Sequence, residues 1–252
     1  MTEAEWEGKA SDIYRLAKSL HGMASERKRR LLAAACCRRN WHLLDDEVSR
    51  PGLEVIERYA DNLATTCELA ETHRAARANG KEFEKLCQWR RNTRGPSSQA
   101  DALHRESLQA YLIAYASQQE DYLWWVVNHT TECRLWEAVE FQRAYEQQTH
   151  AKLIEERKRC SASDSVVLVG LLRDIFGNPF RPVAFDASWR TSTVVAIAQG
   201  MYDPRDFSAM PILADALQDA GCDNDDILNH CRDANGVHVR GCWVVDLVLG
   251  KS

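Results

Sequence analysis

Glu26-Arg-Lys-Arg-Arg-Leu-Leu-Ala-Ala-Ala-Cys-Cys-Arg-Arg-Asn-Trp-His-Leu-Leu44 decides the fold. Its apolar residues Leu31, Leu32, Ala35, Cys36, Trp41 and Leu43 follow helical spacing. Ser25 supplies an N-cap and Glu26 a first-turn charge that suits the helix dipole. The pattern continues outward. Pro51 fits the first turn of a second helix through Leu53, Ile56, Tyr59, Ala60 and Leu63. Thr66 is the expected cap of a third, through Leu69 to Ala78, which Asn79-Gly80 should end in the left-handed manner.

With only 12 Gly and 6 Pro in 252 residues, the whole chain reads as helices with short connections. The expected fold is mainly α, an irregular multi-helix bundle forming one compact unit or two packed helical subdomains. Residues 1–91 form an N-terminal helical region, and Asn92-Thr-Arg-Gly-Pro-Ser-Ser-Gln-Ala100 is a loop. Residues 101–160 hold no Gly or Pro through Arg159 and read as a helical pair broken at Asn128-His-Thr-Thr131, with Tyr122, Trp124, Trp125 and Trp136 as core aromatics. Cys160-Ser-Ala-Ser-Asp164 marks the next boundary. Residues 161–252 form a C-terminal helical region. Its first helix passes through Val167, Leu168, Leu171, Leu172 and Ile175 to a stop at Gly177 and Asn178-Pro179. Thr191 to Thr193 cap a helix through Val194, Ile197 and Met201. Asp223 is the expected N-cap of another, with Asp226 in the capping-box position. Val237 to Leu249 suits helix better than strand.

Hydrophobic residues at 45% and charged residues at 27% match a globular protein. The longest apolar runs, Val166 to Leu172 and Trp243 to Leu249, fall far short of the roughly 20 residues that span a bilayer, and Met1-Thr-Glu-Ala-Glu-Trp-Glu has neither the basic nor the apolar region of a secretory signal. The expected location is the cytoplasm, away from membranes. Nine Cys in such a compartment suggest core thiols or metal ligands rather than disulfides. The net charge of −5 hides an asymmetry: residues 25–50 are net basic and residues 203–252 net acidic, so the two ends are expected to pair with each other.

Two blocks resemble a known family. Arg30-Leu-Leu-Ala-Ala-Ala-Cys-Cys-Arg-Arg-Asn-Trp-His-Leu-Leu44 with Glu57-Arg-Tyr-Ala-Asp61 is similar to the N-terminal block of an uncharacterised bacterial protein family. Leu171-Leu-Arg-Asp-Ile-Phe-Gly-Asn-Pro-Phe180, Leu213-Ala-Asp-Ala-Leu217, Gly221-Cys222, His230-Cys-Arg232 and His238-Val-Arg-Gly-Cys-Trp243 resemble its C-terminal signature. The likeness covers about half of the chain, at both ends; Met1 to Trp6 and the middle from about Thr66 to Ser161 depart from it. It implies relatedness and no reaction.

Chemistry concentrates in the tail, where Cys222, His230, Cys231, His238 and Cys242 crowd soft ligands into 21 residues. Thiolate and imidazole are what structural zinc prefers. His238-x-x-x-Cys242 is the one arm of usual spacing, and adjacent His230 and Cys231 point about 100° apart on a helix, so one of the two would ligate. Cys36 and Cys37 are candidates to complete the set. Buried thiols with no ion are the plain alternative. Three ligands plus water would instead suit a metal-dependent hydrolase, with Asp226 or Asp246 as local base, and Cys37 or Cys231 could pair with a His. No nucleophile elbow, phosphate loop, dinucleotide fingerprint or His-Glu-x-x-His motif is present. Arg29, Arg30, Arg38 and Arg39, with Arg27 and Lys28, could contact nucleic-acid phosphates, against which stand the mixed charges nearby and the acidic total. The sequence favours a non-catalytic helical interaction or regulatory module with a protein partner and either a structural zinc ion or no cofactor. Nucleic-acid binding and metal-dependent hydrolysis are the alternatives.

Overall fold

The computed structural model describes residues 2–8, 13–20, 24–44, 46–94 and 150–251, and between them Ala110, Tyr111, Ile113, Ala114, Ala116, Ser117, Val126 and Thr130. Helices follow one another in the order α1 (Glu3–Glu7), α2 (Ile13–Ser19), α3 (Glu26–Arg39), α4 (Ser49–Ala60), α5 (Thr66–Arg94), α6 (His150–Phe176), α7 (Ser192–Tyr202), α8 (Met210–Asp219), α9 (Asp225–Arg232) and α10 (Trp243–Leu249). Short 3₁₀ turns occupy Trp41–Leu43 and Ala187–Trp189. The fold is mainly α, and no strand occurs among the described residues. No helix among them is long and apolar enough to cross a membrane.

Helix α3 sits where its composition sends it. Ser25 Oγ accepts from the Lys28 amide (3.3 Å), and Leu31, Leu32, Ala33, Ala34, Cys36 and Cys37 are buried. Each fully buried Leu here contributes roughly 1.5–3 kcal/mol. The helix lies between α4 and the C-terminal half of α6, so Leu53 and Ile56 meet it on one side and Leu168, Leu172 and Ile175 on the other in one apolar cluster. A second cluster joins α7, α8, α9 and α10 through Met201, Leu213, Leu217, Ile227, Val244 and Val248.

Charge ties the two clusters together. The Asp61 carboxylate, whose side chain is 0% exposed, accepts from Arg27 Nε and Nη2 (both 3.1 Å), Arg240 Nε (3.1 Å) and Tyr202 Oη (2.8 Å). Arg27 also reaches Asp246 Oδ2 on α10 (2.6 Å). Glu57 is shared by Arg38 and Arg205, and Glu54 by the same two. Of these contacts only Arg27–Asp246 joins the basic N-terminal segment to the acidic tail as the charge asymmetry suggested; the tail's Arg205 and Arg240 run the opposite way, to Glu54, Glu57 and Asp61.

Several local expectations are corrected. Helix α5 does not end at Asn79-Gly80 but runs on to Arg94. The tertiary context takes both residues: the Tyr111 ring lies so close to Gly80 that a Cβ there would meet it at 3.1 Å, and Asn79 Nδ2 donates to Asp46 Oδ1 (3.0 Å). Its cap is Thr65, in a box with Glu68 (Thr65 N to Glu68 Oε2, 2.7 Å). Cys160–Asp164 makes no break, because α6 passes through it with Ser165 Oγ donating to Ser161 O (2.8 Å) and buried Asp164 paired with Arg39 (2.6 Å). Thr130 is helical, its hydroxyl donating to Val126 O (2.8 Å), and the rest of the expected break at Asn128-His-Thr-Thr131 lies outside the described residues. The N-cap of α9 is Asn224, which accepts from Ile227 N (3.1 Å), not Asp223. Residues 237–242 are a loop, with helix only from Trp243. The rest of the 92–100 loop beyond Arg94 and the aromatic group Tyr122, Trp124, Trp125 and Trp136 lie outside the described residues.

Candidate metal centre

Leu171, Leu172 and Ile175 bury one face of α6. Asp174 falls beside them in the last turn, and its side chain is only 2% exposed. An acid so placed needs partners, since an isolated buried carboxylate is prohibitively costly. They come from the tail. His238 Nδ1 lies 2.9 Å and His230 Nε2 3.2 Å from Asp174 Oδ1, and the Val239 amide donates to Oδ2 (2.9 Å). Cys242, the residue before α10, brings Sγ to 3.2 Å from His230 Nε2. One ligand atom from each of Asp174, His230, His238 and Cys242 lies within 4.8 Å of all the others.

The scaffolding is local and inexpensive. His230 sits in the last turn of α9. Its ring packs edge-to-face on His238 (centroids 4.8 Å) and tilts against Trp243 (5.2 Å). Gly177 ends α6 at φ +63° directly under the Trp243 indole, where a Cβ would meet the ring at 3.2 Å. That close approach lets α10 start beside Asp174.

Electrostatics make the four side chains an uneasy set on their own. Burial pushes the Asp174 carboxyl up, but the hydrogen bonds from His230 and His238 outweigh it and hold the group below its usual value. The Cys242 thiol is driven well up by burial, and by Asp174 after that. His238 Nε2 is buried with no hydrogen-bond partner among the described residues. A divalent cation reverses this balance: it favours the thiolate outright, and two unit negative charges then neutralise it. The spacing suits such an ion. Zinc–ligand bonds of about 2.0–2.3 Å set neighbouring tetrahedral ligands roughly 3.3–3.8 Å apart, so the 2.9 and 3.2 Å contacts would open by a few tenths of an ångström and the wider separations, which reach up to 4.8 Å, would close by up to about 1 Å.

Of the residues singled out in the tail, the structure brings together His230, His238 and Cys242. Cys222 and Cys231 are placed in the apolar core among α8, α9 and α10, where burial raises both thiols, that of Cys231 to about 12. On α9, His230 faces the cluster and its neighbour Cys231 faces the core. Cys36 and Cys37 are fully buried in the other apolar cluster. Asp174 was missed, although an acid three residues after Leu171 on an apolar helical face is a legible signal. The two acids considered as local bases are not among the four converging ligands: Asp246 pairs with Arg27 and Asp226 is exposed, both on the cleft that His230 also lines.

The arginines proposed for nucleic acid turn inward. Arg30 is fully buried, with Nη2 on Glu26 Oε1 (2.6 Å) and its guanidinium over Tyr59. Arg38 is held by Glu54 and Glu57 and stacks on Trp41 (4.6 Å). Arg39 pairs with Asp164, and the Arg29 Nε is buried. No family model, no curated protein and no solved structure matches this chain.

Proposed function

We propose that this chain is a non-catalytic, zinc-stabilised helical interaction module of the cytoplasm, with one structural ion held by Asp174, His230, His238 and Cys242. The observation that carries the reading is the convergence of four ligand atoms from four different side chains within 4.8 Å. Four protein ligands complete a tetrahedral shell and leave no position for the water that a hydrolase must activate. The ion's role is then mechanical. It ties the end of α6 to the end of α9 and the start of α10, adding to the apolar packing of α9 on α10 a polar link to α6. A module built this way acts by presenting a surface.

The test is elemental analysis of the purified full chain by plasma mass spectrometry, followed by cobalt substitution. One zinc per chain and the spectrum of tetrahedral, thiolate-bound cobalt are expected, both lost in Asp174→Ala and Cys242→Ala. Chelation should lower the melting temperature, because ligand at about 1,000 times its Kd stabilises by roughly 4 kcal/mol. Failure of the chain to take up zinc or cobalt when either is supplied in excess overturns the proposal.

A further inference from the structure

Beside the four-ligand cluster opens a cleft of about 760 Å³, within the roughly 300–1,000 Å³ usual for small-molecule sites. Trp6, Phe176, Trp243 and Pro182 give it flat apolar walls, and His230 forms part of its surface. One rim is fixed by charge: Arg181 pairs with Glu3 (2.5 Å) and Glu7 (3.2 Å), and Arg173 donates to the carbonyls of Trp6 and Gly8. The opening is therefore framed by α1, by the start of α3 and by the turn after α6.

The charges lining the cleft are mostly spent within the protein. Arg181 and Glu7 neutralise each other, Asp246 is held by Arg27, and Lys251 leans on Asp61 (3.6 Å). Arg173 has no ion pair either but is taken up by the Trp6 and Gly8 carbonyls, and the other exception is Lys28. Its half-buried ammonium donates to the carbonyl of Ile175 (2.9 Å) and lies 6.0 Å from the Phe176 ring centroid, and it forms no ion pair among the described residues. An ammonium has three donors, so two are left for a ligand. Ser25, which caps α3, also lines the cleft, placing the positive end of a 14-residue helix beside that ammonium. The remaining acid, Asp226, is exposed.

We infer that the cleft binds a small aromatic carboxylate, its ring between Trp243 and Phe176 and its carboxylate on Lys28 at the N-terminus of α3. The partly desolvated cation feels Asp246 and Asp174 without an ion pair to either, so a bound carboxylate gives it a direct counter-charge, and a planar ring uses the aromatic walls. Burial, the largest influence on Lys28, lowers its affinity for a proton, and a bound carboxylate opposes that effect. This goes beyond the reading of the chain as a zinc-stabilised module, because the cleft would give that module a ligand.

The test compares 1-naphthylacetate with its neutral isostere 1-naphthylacetamide, titrated into the full chain by calorimetry and followed through the Trp243 indole N–H by NMR. The acid should bind at least tenfold more tightly than the amide and shift the Trp243 signal. Lys28→Gln should remove the preference and Lys28→Arg should retain most of it, each variant being checked by its melting curve. If Lys28→Gln does not fold, the acid-to-amide ratio in the parent chain and in Lys28→Arg decides. Equal affinity for acid and amide, binding of neither, or a preference that survives in folded Lys28→Gln overturns the inference. Titrations of zinc-loaded and chelated protein separate this from the metal reading, since the carboxylate preference is expected in any sample that remains folded, whether or not zinc is found.

Discussion

Asp61→Asn should destabilise the fold by about 3 kcal/mol, the lower end of the roughly 3–5 kcal/mol that follows breaking a buried ion pair from one side. The carboxylate holds Arg27, Arg240 and Tyr202 at 2.8–3.1 Å. A unit-charge pair at about 4 Å is worth roughly 4 kcal/mol at an effective dielectric of 20, so two arginines give a gross gain that the desolvation of three buried ions then largely offsets. The amide keeps the size and can still accept from Tyr202. The arginines are not left bare either, because Arg27 retains Asp246 (2.6 Å) and Arg240 retains Glu57 at 3.8 Å, which is why the lower figure is expected. For a chain of this size about 3 kcal/mol corresponds to a fall of roughly 6–12 °C in Tm. Calorimetric melts at pH 7 measure it, with Arg27→Met and the double variant completing a cycle. Acid adds a second signature. Burial raises the Asp61 carboxyl, but the Tyr202 hydrogen bond and the charges of Arg240, Arg27 and Lys251 outweigh it and hold the group below its ordinary value. A depressed folded value contributes stability above the ordinary carboxylate value of about 3.9 and loses it as pH falls through the folded value. The parent should thus lose stability on acidification below about pH 4, and the variant's profile should be flatter there. A variant that melts within a degree or two of the parent, or a cycle with no coupling between positions 27 and 61, would refute the view that this hub clamps the two ends of the chain.

The cysteines separate ligand from core. Cys222→Ala and Cys231→Ala should keep the metal while losing roughly 1–2 kcal/mol through lost apolar contact, whereas Cys242→Ala should lose the metal; zinc content and Tm measured side by side check this, and metal loss in Cys231→Ala with retention in Cys242→Ala would reverse the assignment. Gly241→Ala should cost about 2–4 kcal/mol in urea unfolding, because its φ of +95° disfavours any Cβ and that Cβ would lie 2.8 Å from Leu31 Cδ1; a neutral effect would show that the loop before α10 is free to shift away from α3.

What the sequence made legible was whatever depended on neighbours within a turn or two. The start of α3 follows from a local apolar stripe and the Ser25 side-chain bond, although the helix ends at Arg39 and not at Leu44 as the spacing of Trp41 and Leu43 suggested, those residues forming a 3₁₀ turn; the stop of the helix through Ile175 follows from Gly177. Asn79-Gly80 misled because the reason for continuing α5 is Tyr111, a residue more than thirty positions away whose ring needs the missing Cβ. The candidate metal cluster misled in the same way, and more informatively. Five thiols and imidazoles in the tail, with Cys36 and Cys37 to complete them, made up the expected ligand set, yet Cys222 and Cys231 pack as small apolar filling among α8, α9 and α10. The fourth polar atom comes instead from α6, 56 residues before His230. Proximity in sequence overweights ligands on one segment, but a site that ties segments together gains most from a ligand that closes a long loop. An acid on an apolar helical face is the residue that cannot be left without partners. Asp174 and Asp164 both sit in the buried part of α6, and each is met by a cation or an imidazole from another helix or loop. By that rule the acids on apolar stripes, more than the clustered cysteines, show where this chain folds back on itself.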